Sequence, residues 1–224
     1  MGAPAARGCR AVPGVTLPMK IRPACAALAA GLFLPSLSAA AQEGCSDAVW
    51  ASGFRVEAAL MASYATASAA SSVGFPLTPA GDNFTAAYSP ALSISVLSIH
   101  QESSALGVRV TIVLPEAPQS FEGKAVSLAW VDGELAPLGP LPDAILQPHP
   151  GSTDGLVADI LIEGQTAHDM YEQDYFRIDA TFPDGKTARS NTLAALGNPH
   201  RKALTLLEGL LGKAQAGECT PAEG

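Results

Sequence analysis

Between Leu92 and Leu193 apolar and polar residues alternate in short runs, and turn signals separate one run from the next. A period of two puts successive side chains on opposite faces, so this stretch reads as half-buried β-strands joined by tight connections. Leu92, Ile94 and Val96 alternate with serines before the phase shifts through Leu97 and Ile99, as a β-bulge would require. Leu106, Val108, Val110, Ile112 and Leu114 then alternate with Gly107, Arg109, Thr111 and Val113, and the two runs read as a hairpin. The run 125–131 ends at Asp132-Gly133, a dipeptide suited to a two-residue turn with positive φ, which makes 134–138 the expected return strand. In 156–163, Leu156, Ala158, Ile160 and Ile162 share one side. In 174–182, Phe176, Ile178, Ala180 and Phe182 share one face, and Pro183-Asp184-Gly185 turns that strand into 186–193.

About seven short strands in roughly a hundred residues is the count and spacing of an antiparallel sandwich. Residues 92–194 therefore resemble an immunoglobulin-like or fibronectin-like β-sandwich in architecture, with Tyr171 or Tyr175 as the candidate corner tyrosine. The expected fold class is mainly β, flanked by two helical segments. In 46–72, Trp50, Phe54, Ala58, Met61 and Ala65 recur at helical spacing in an Ala-rich context, which predicts a helix anchored by Trp50. Gly53 weakens that reading, and Phe54, Val56, Ala58 and Leu60 also alternate as a strand would. Trp130 alternates with Val126 and Leu128 and belongs to the core. At the other end, 199–214 predicts an amphipathic helix. Asn198 is its N-cap, Pro199 takes the first position, and Leu204, Leu207, Leu211 and Ala214 line one face. The Pro-rich stretches 74–90 and 137–155 read as long loops.

The first 41 residues are not expected to be part of the fold. Met19-Lys20-Ile21-Arg22 forms a positive start, an apolar run follows from Ala24 to Leu34, and Ala39-Ala40-Ala41 fits signal peptidase. Segment 19–41 thus reads as a cleaved signal peptide behind an upstream extension, leaving a single mature domain from 42 to 224. The apolar run is shorter than the roughly 20 residues of a spanning helix. Export and an Ala-rich leader predict a periplasmic protein with no stable membrane insertion after cleavage. Losing residues 1–41 removes four basic residues and no acid, so nine basic and 21 acidic residues remain, a formal net charge of −12. That balance argues against nucleic acid as a partner, because phosphates need a basic patch. Two cysteines remain, Cys45 and Cys219 near opposite ends, and an exported chain with one such pair predicts one disulfide.

Chemistry-bearing patterns are sparse. The sequence holds no Gly-x-Ser-x-Gly elbow, no Ser-x-x-Lys and no phosphate-cradling glycine loop, and Ser93, Ser95 and Ser98 read as the polar face of a strand. His149, His168, Asp169 and Glu172 are the candidate metal ligands if the fold brings them together, with zinc as the borderline-soft choice. Asp169, Glu172 and Asp174, with Asp154 and Asp184 in turns, are the corresponding acids for calcium, without a known calcium-loop spacing. No cofactor is expected on this pattern. The primary expectation is an exported accessory or binding protein that meets an envelope protein partner through a non-catalytic surface. That surface is either the 137–155 loop, with Leu146 and His149, or an open sheet edge. A small metal- or carboxylate-dependent hydrolase built on His149, His168, Asp169 and Glu172 is the alternative, and a structural component of an envelope complex is the third reading.

Overall fold

The structure, a computed structural model, describes residues 44–71, 74–79, 89–101, 103–150, 155–190 and 194–223. The expected leader and the turn acid Asp154 lie outside the described residues. In chain order the strands are β1 (Ser46–Ala51), β2 (Phe54–Leu60), β3 (Ala65–Ser71), β4 (Phe75–Pro79), β5 (Ala91–His100), β6 (Ser104–Leu114), β7 (Ala125–Asp132), β8 (Pro137–Pro140), β9 (Ala144–Ile145), β10 (Gln147–Pro148) and β11 (Leu156–Glu163). Helix α1 (Gly164–Glu172) follows, then β12 (Phe176–Thr181), β13 (Thr187–Ser190) and helix α2 (Gly197–Gln215).

The fold is mainly β, and every ladder between these strands is antiparallel. One ladder runs β1-β2-β3-β5-β6-β11-β10, and a second runs β4-β13-β12-β7, with β8 and β9 along the far side of β7. Strand β4 belongs to both: Phe75 and Pro76 pair with β5, whereas Leu77, Thr78 and Pro79 pair with β13. At the opposite end the chain crosses between ladders within a few residues, since β9 pairs with β7 and β10 with β11. The hydrogen-bonded path does not close. Between the ladders lies the apolar core: Leu92, Ile94, Val108, Val110 and Ile112 from one, and Val126, Leu128, Phe176 and Ile178 from the other. Trp130 meets Phe176 edge-on there, with ring centroids 5.7 Å apart.

The described part of the expected 46–72 helix, residues 46–71, is not a helix. These residues form a three-strand meander, β1 to β3, in which more and less enclosed positions alternate along each strand. The reason sits in the turn: Ser52 and Gly53 have φ of 51° and 80°, the pair of positive values that closes a two-residue hairpin with the right twist. The alanines that suggested a helix do something else. Ala58, Ala65, Ala67 and Ala69 form the buried rows of β2 and β3, and their single methyl groups leave room for α2 to lie close against the sheet. Trp50, expected to anchor that segment, is 66 % exposed instead.

Strand β5 carries no bulge. Its register against β3 and β6 is continuous from end to end, so the apparent phase shift is resolved by turning Ser98 inward and leaving Leu97 and Ile99 half-buried. The return strand expected over 134–138 lies later, at β8. Asp132 caps the connection by accepting from the Glu134 and Ala136 N–H groups, and Leu135 takes a φ of 71°, so the turn is longer than two residues. Helix α2 matches the expected C-terminal helix, with its buried face on His200, Ala203, Leu207 and Leu210 and with Leu204 and Leu211 half-buried beside it. Asn198 does not cap it; the Asn198 side-chain oxygen accepts from Arg201. Neither expected tyrosine makes the corner: Tyr171 lies in α1 and Tyr175 is exposed.

The Cys45–Cys219 disulfide forms, with Cα atoms 5.2 Å apart. It joins the start of β1 to the segment after α2. Here the C-terminal tail wedges into the open end of the β1–β2 hairpin: Cys45 N–H donates to Thr220 C=O, and Ala222 N–H donates to Leu60 C=O. Among the described residues no helix is long and apolar enough to cross a membrane.

Candidate functional site

Strand β1 is an outer edge whose geometry follows from its hairpin. Leu60 N–H donates to Cys45 C=O at 2.8 Å, and the Ser52-Gly53 turn pairs Ala51 with Phe54. In an antiparallel ladder bonded and non-bonded pairs alternate. The odd-numbered residues of β1 therefore bond to β2, while the main-chain groups of Ser46, Ala48 and Trp50 point away from it. Among the described residues no strand pairs with β1 on that side. Two of the outward donors are held locally: Ser46 N–H by Gly44 C=O at 2.9 Å, and Ala48 N–H by the Asp47 carboxylate at 2.8 Å.

Side chains add a pattern to the edge. Ser46, Ala48 and Trp50 stand on the outer face, and Trp50 lies opposite Arg55, which is paired with Glu57 at 2.6 Å. Asp47, Val49 and Ala51 stand on the inner face, toward the core. The strand is fixed at both ends, by the disulfide and tail at Cys45 and by the tight turn at Ser52-Gly53. Of the other margins, β8 begins and ends in proline, β10 ends in Pro148 and β9 is two residues long, while β11 meets β10 only at Leu156 and Val157 and runs on without a second partner among the described residues. Proline removes a ladder donor and so discourages a further strand.

A second polar assembly lies where α1, α2 and β5 meet. Ser98 is 4 % exposed and its Oγ sits 2.9 Å from Nε2 of both His100 and His200. His100 Nδ1 reaches Ser104 Oγ at 3.0 Å. His200 is 3 % exposed, its ring is edge-on to Tyr171, and its Nδ1 is buried without a hydrogen-bond partner. A bare N–H there would be costly, so the proton belongs on Nε2 and is donated to Ser98. The single Ser98 Oγ–H has two acceptors within reach, His100 Nε2 at 2.9 Å and the Ala67 carbonyl at 3.4 Å, and His100 Nδ1 pairs with the Ser104 hydroxyl. Burial drives the His200 pKa down to about 4, opposed in part by the Ala67 carbonyl and assisted by His100. Burial lowers that of His100 as well. With Ser98 this deeply enclosed, the chain of bonds fastens α2 and β5 together rather than presenting a nucleophile. Beside it an open cleft of about 140 Å³ is lined by Tyr171, Glu172, Asp174, Gly197, Asn198 and Arg201 among others.

The residues singled out from the sequence are spread over the molecule. His168, Asp169 and Glu172 all lie on α1 and are exposed, with Asp169 accepting from Gln165 at 2.6 Å. His149 follows β10, its N–H bonded to Gly155 C=O. Asp174 lines the cleft, and Asp184 pairs with Lys186 in the turn before β13. Among the described residues no three His, Cys, Asp or Glu side chains are grouped to hold a metal ion. Leu146 is not a surface contact as the loop reading required. It is 0 % exposed, with its main chain bonded to Gly123 and Lys124, because the alternation through 144–146 turns Ile145 outward and Leu146 into the core. Compared with known proteins, the chain matches no family model, no curated sequence and no solved structure.

Proposed function

We propose that this chain is an exported, periplasmic binding module that recruits an envelope protein by accepting an extended segment of it as an added strand on β1. The observation that carries this reading is the edge itself: six residues, regular in register, and anchored at both ends by the disulfide and by the Ser52-Gly53 turn. An edge held in the extended conformation loses little entropy on docking, so more of the main-chain hydrogen-bond energy is retained as affinity. Trp50 offers a large, rigid apolar surface beside the incoming strand. The disulfide is compatible with export through the 19–41 leader, and the antiparallel ladders sharing β4 are compatible with an immunoglobulin-like or fibronectin-like sandwich extended by β1 to β3. On this reading the surface does the work, and the His–Ser assembly is part of the scaffold.

Ala48→Pro separates the edge from the fold. The Ala48 N–H is not used in the β1–β2 ladder, so proline there removes an outward donor and leaves the hairpin bonds in place. A photo-crosslinking amino acid replacing Trp50 should trap an adduct in the source cells, and that adduct should vanish when Ala48→Pro is added. The same probe replacing Leu138 on β8 should trap none. Adducts at 138 alone, or adducts at 50 indifferent to Ala48→Pro, would contradict strand addition.

A further inference from the structure

We infer that Asp47 selects the partner: the segment added to β1 runs antiparallel to it, with a lysine or arginine opposite Asp47 and an apolar residue opposite Val49. This rests on the strand-addition reading and extends it to the chemistry of the partner.

Asp47 plays two parts at the edge. Its carboxylate accepts from the Ala48 N–H, one of the donors an incoming strand must use. Among the described residues it has no ion-pair partner, and Arg55, the cation nearest in the ladder, stands on the opposite face and is already paired with Glu57. Docking therefore requires an exchange. A carbonyl of the incoming strand takes over the Ala48 N–H, and the released carboxylate needs a new donor.

The register supplies the place for it. Asp47 bonds to β2 through its main chain, so across the outer edge it faces the incoming residue as a non-hydrogen-bonded pair. Side chains in such pairs approach most closely, and opposite charges there attract while like charges repel. A cation opposite Asp47 completes the exchange; an acid leaves two carboxylates facing each other. The residue opposite Val49 meets a half-buried apolar side chain on the same inner face. The long-range field has the same sign preference, since the chain's formal net charge is −8 and Glu218 and Glu223 are exposed on the tail beside the Cys45 end of β1. An antiparallel direction follows the rule of every strand pair in this sheet.

The probe is the blocked synthetic peptide Gly-Thr-Val-Ile-Thr-Lys-Thr-Gly, which places Val opposite Trp50, Ile opposite Val49 and Lys opposite Asp47. It is compared with the same peptide carrying Glu for Lys, by calorimetry on the oxidised protein at low salt. The Lys peptide should bind about 5-fold more tightly than the Glu peptide, the scale of a cross-strand charge contrast. Asp47→Lys should invert that order. Asp47→Ala should erase the contrast and tighten both, because the Ala48 N–H is then free to pair. Equal binding of the two peptides, both lost with Ala48→Pro, overturns the role of Asp47 while strand addition stands. Binding untouched by Ala48→Pro, or no binding of either peptide, overturns strand addition and this inference with it. A dimer of the protein that Ala48→Pro dissolves makes the occupant a second copy, and overturns the cationic partner.

Discussion

Removing the Cys45–Cys219 bond should lower folding stability by about 5 kcal/mol, the largest single effect expected in this molecule. The bond spans 174 residues, nearly the whole of the described chain, so its loss restores a large amount of freedom to the unfolded state. It also ties together three things in the native state: the start of β1, the tail that wedges into the open end of the β1–β2 hairpin, and the segment that follows α2. The clean variant is the double substitution Cys45→Ser with Cys219→Ser, which leaves no stray thiol. Denaturant unfolding of this variant should show a large drop in midpoint and a steeper slope, because the unfolded chain without its crosslink is more expanded. A loss below about 1 kcal/mol would mean that packing of α2 on β1 to β3 already holds the ends together. Hydrogen exchange should speed up most at 45–50, since there the edge loses one of its two anchors.

Acid should remove up to about 3 kcal/mol through His200 alone, over the window from pH 6.5 to pH 4. The sign follows from the direction of the shift. Above pH 6.5 the imidazole is neutral in both folded and unfolded chains and contributes nothing to pH dependence. As pH falls toward 4, the unfolded chain takes up the proton and the folded chain refuses it, because the ring is buried against Tyr171 and Ser98 with no anion beside it. Stability therefore falls with falling pH across that window and takes no further loss from this group below it. His100 acts in the same direction. Carboxylates titrate in part of the same range, so the informative quantity is the difference in slope between the parent and His200→Phe, not absolute stability. The variant should show a distinctly flatter decline between pH 6.5 and 4. Parallel curves would mean that His200 accepts its proton in place.

These effects involve residues whose importance the sequence conceals to different degrees. The strands from 92 to 182 were readable because Val, Ile, Leu and Phe alternate with polar residues there, and tertiary packing asks for that pattern on a half-buried sheet. The meander 46–71 was not, since the inner row of β3 is all alanine and β2 adds Ala58, and alanine favours helix when nothing else is known. The signal that would have decided it is Ser52-Gly53, a turn dipeptide inside the first third of the supposed helix. Phe54, Val56, Ala58 and Leu60 already had the period of a strand. Ser98 looked like one serine among three on a polar face. Its inward turn depends on His200, which is 102 residues away in sequence and arrives only when α2 docks. The disulfide was legible from the two cysteines that remain near opposite ends of the chain once the expected leader is set aside. The edge was not, because whether a strand lies at a sheet margin depends on which partners the rest of the chain supplies. Leu146 shows the same limit in reverse: a Pro-rich, loop-like context hid a side chain that the core claims.

Strand addition at β1 is tested most directly by a residue-resolved amide titration of the isotopically labelled, oxidised protein with the Lys-containing peptide. The amide signals of Ser46, Ala48 and Trp50 should move together and gain protection from exchange, while those of Leu138 and Ile145 stay still. Movement centred on 137–150, with β1 unchanged, would contradict it.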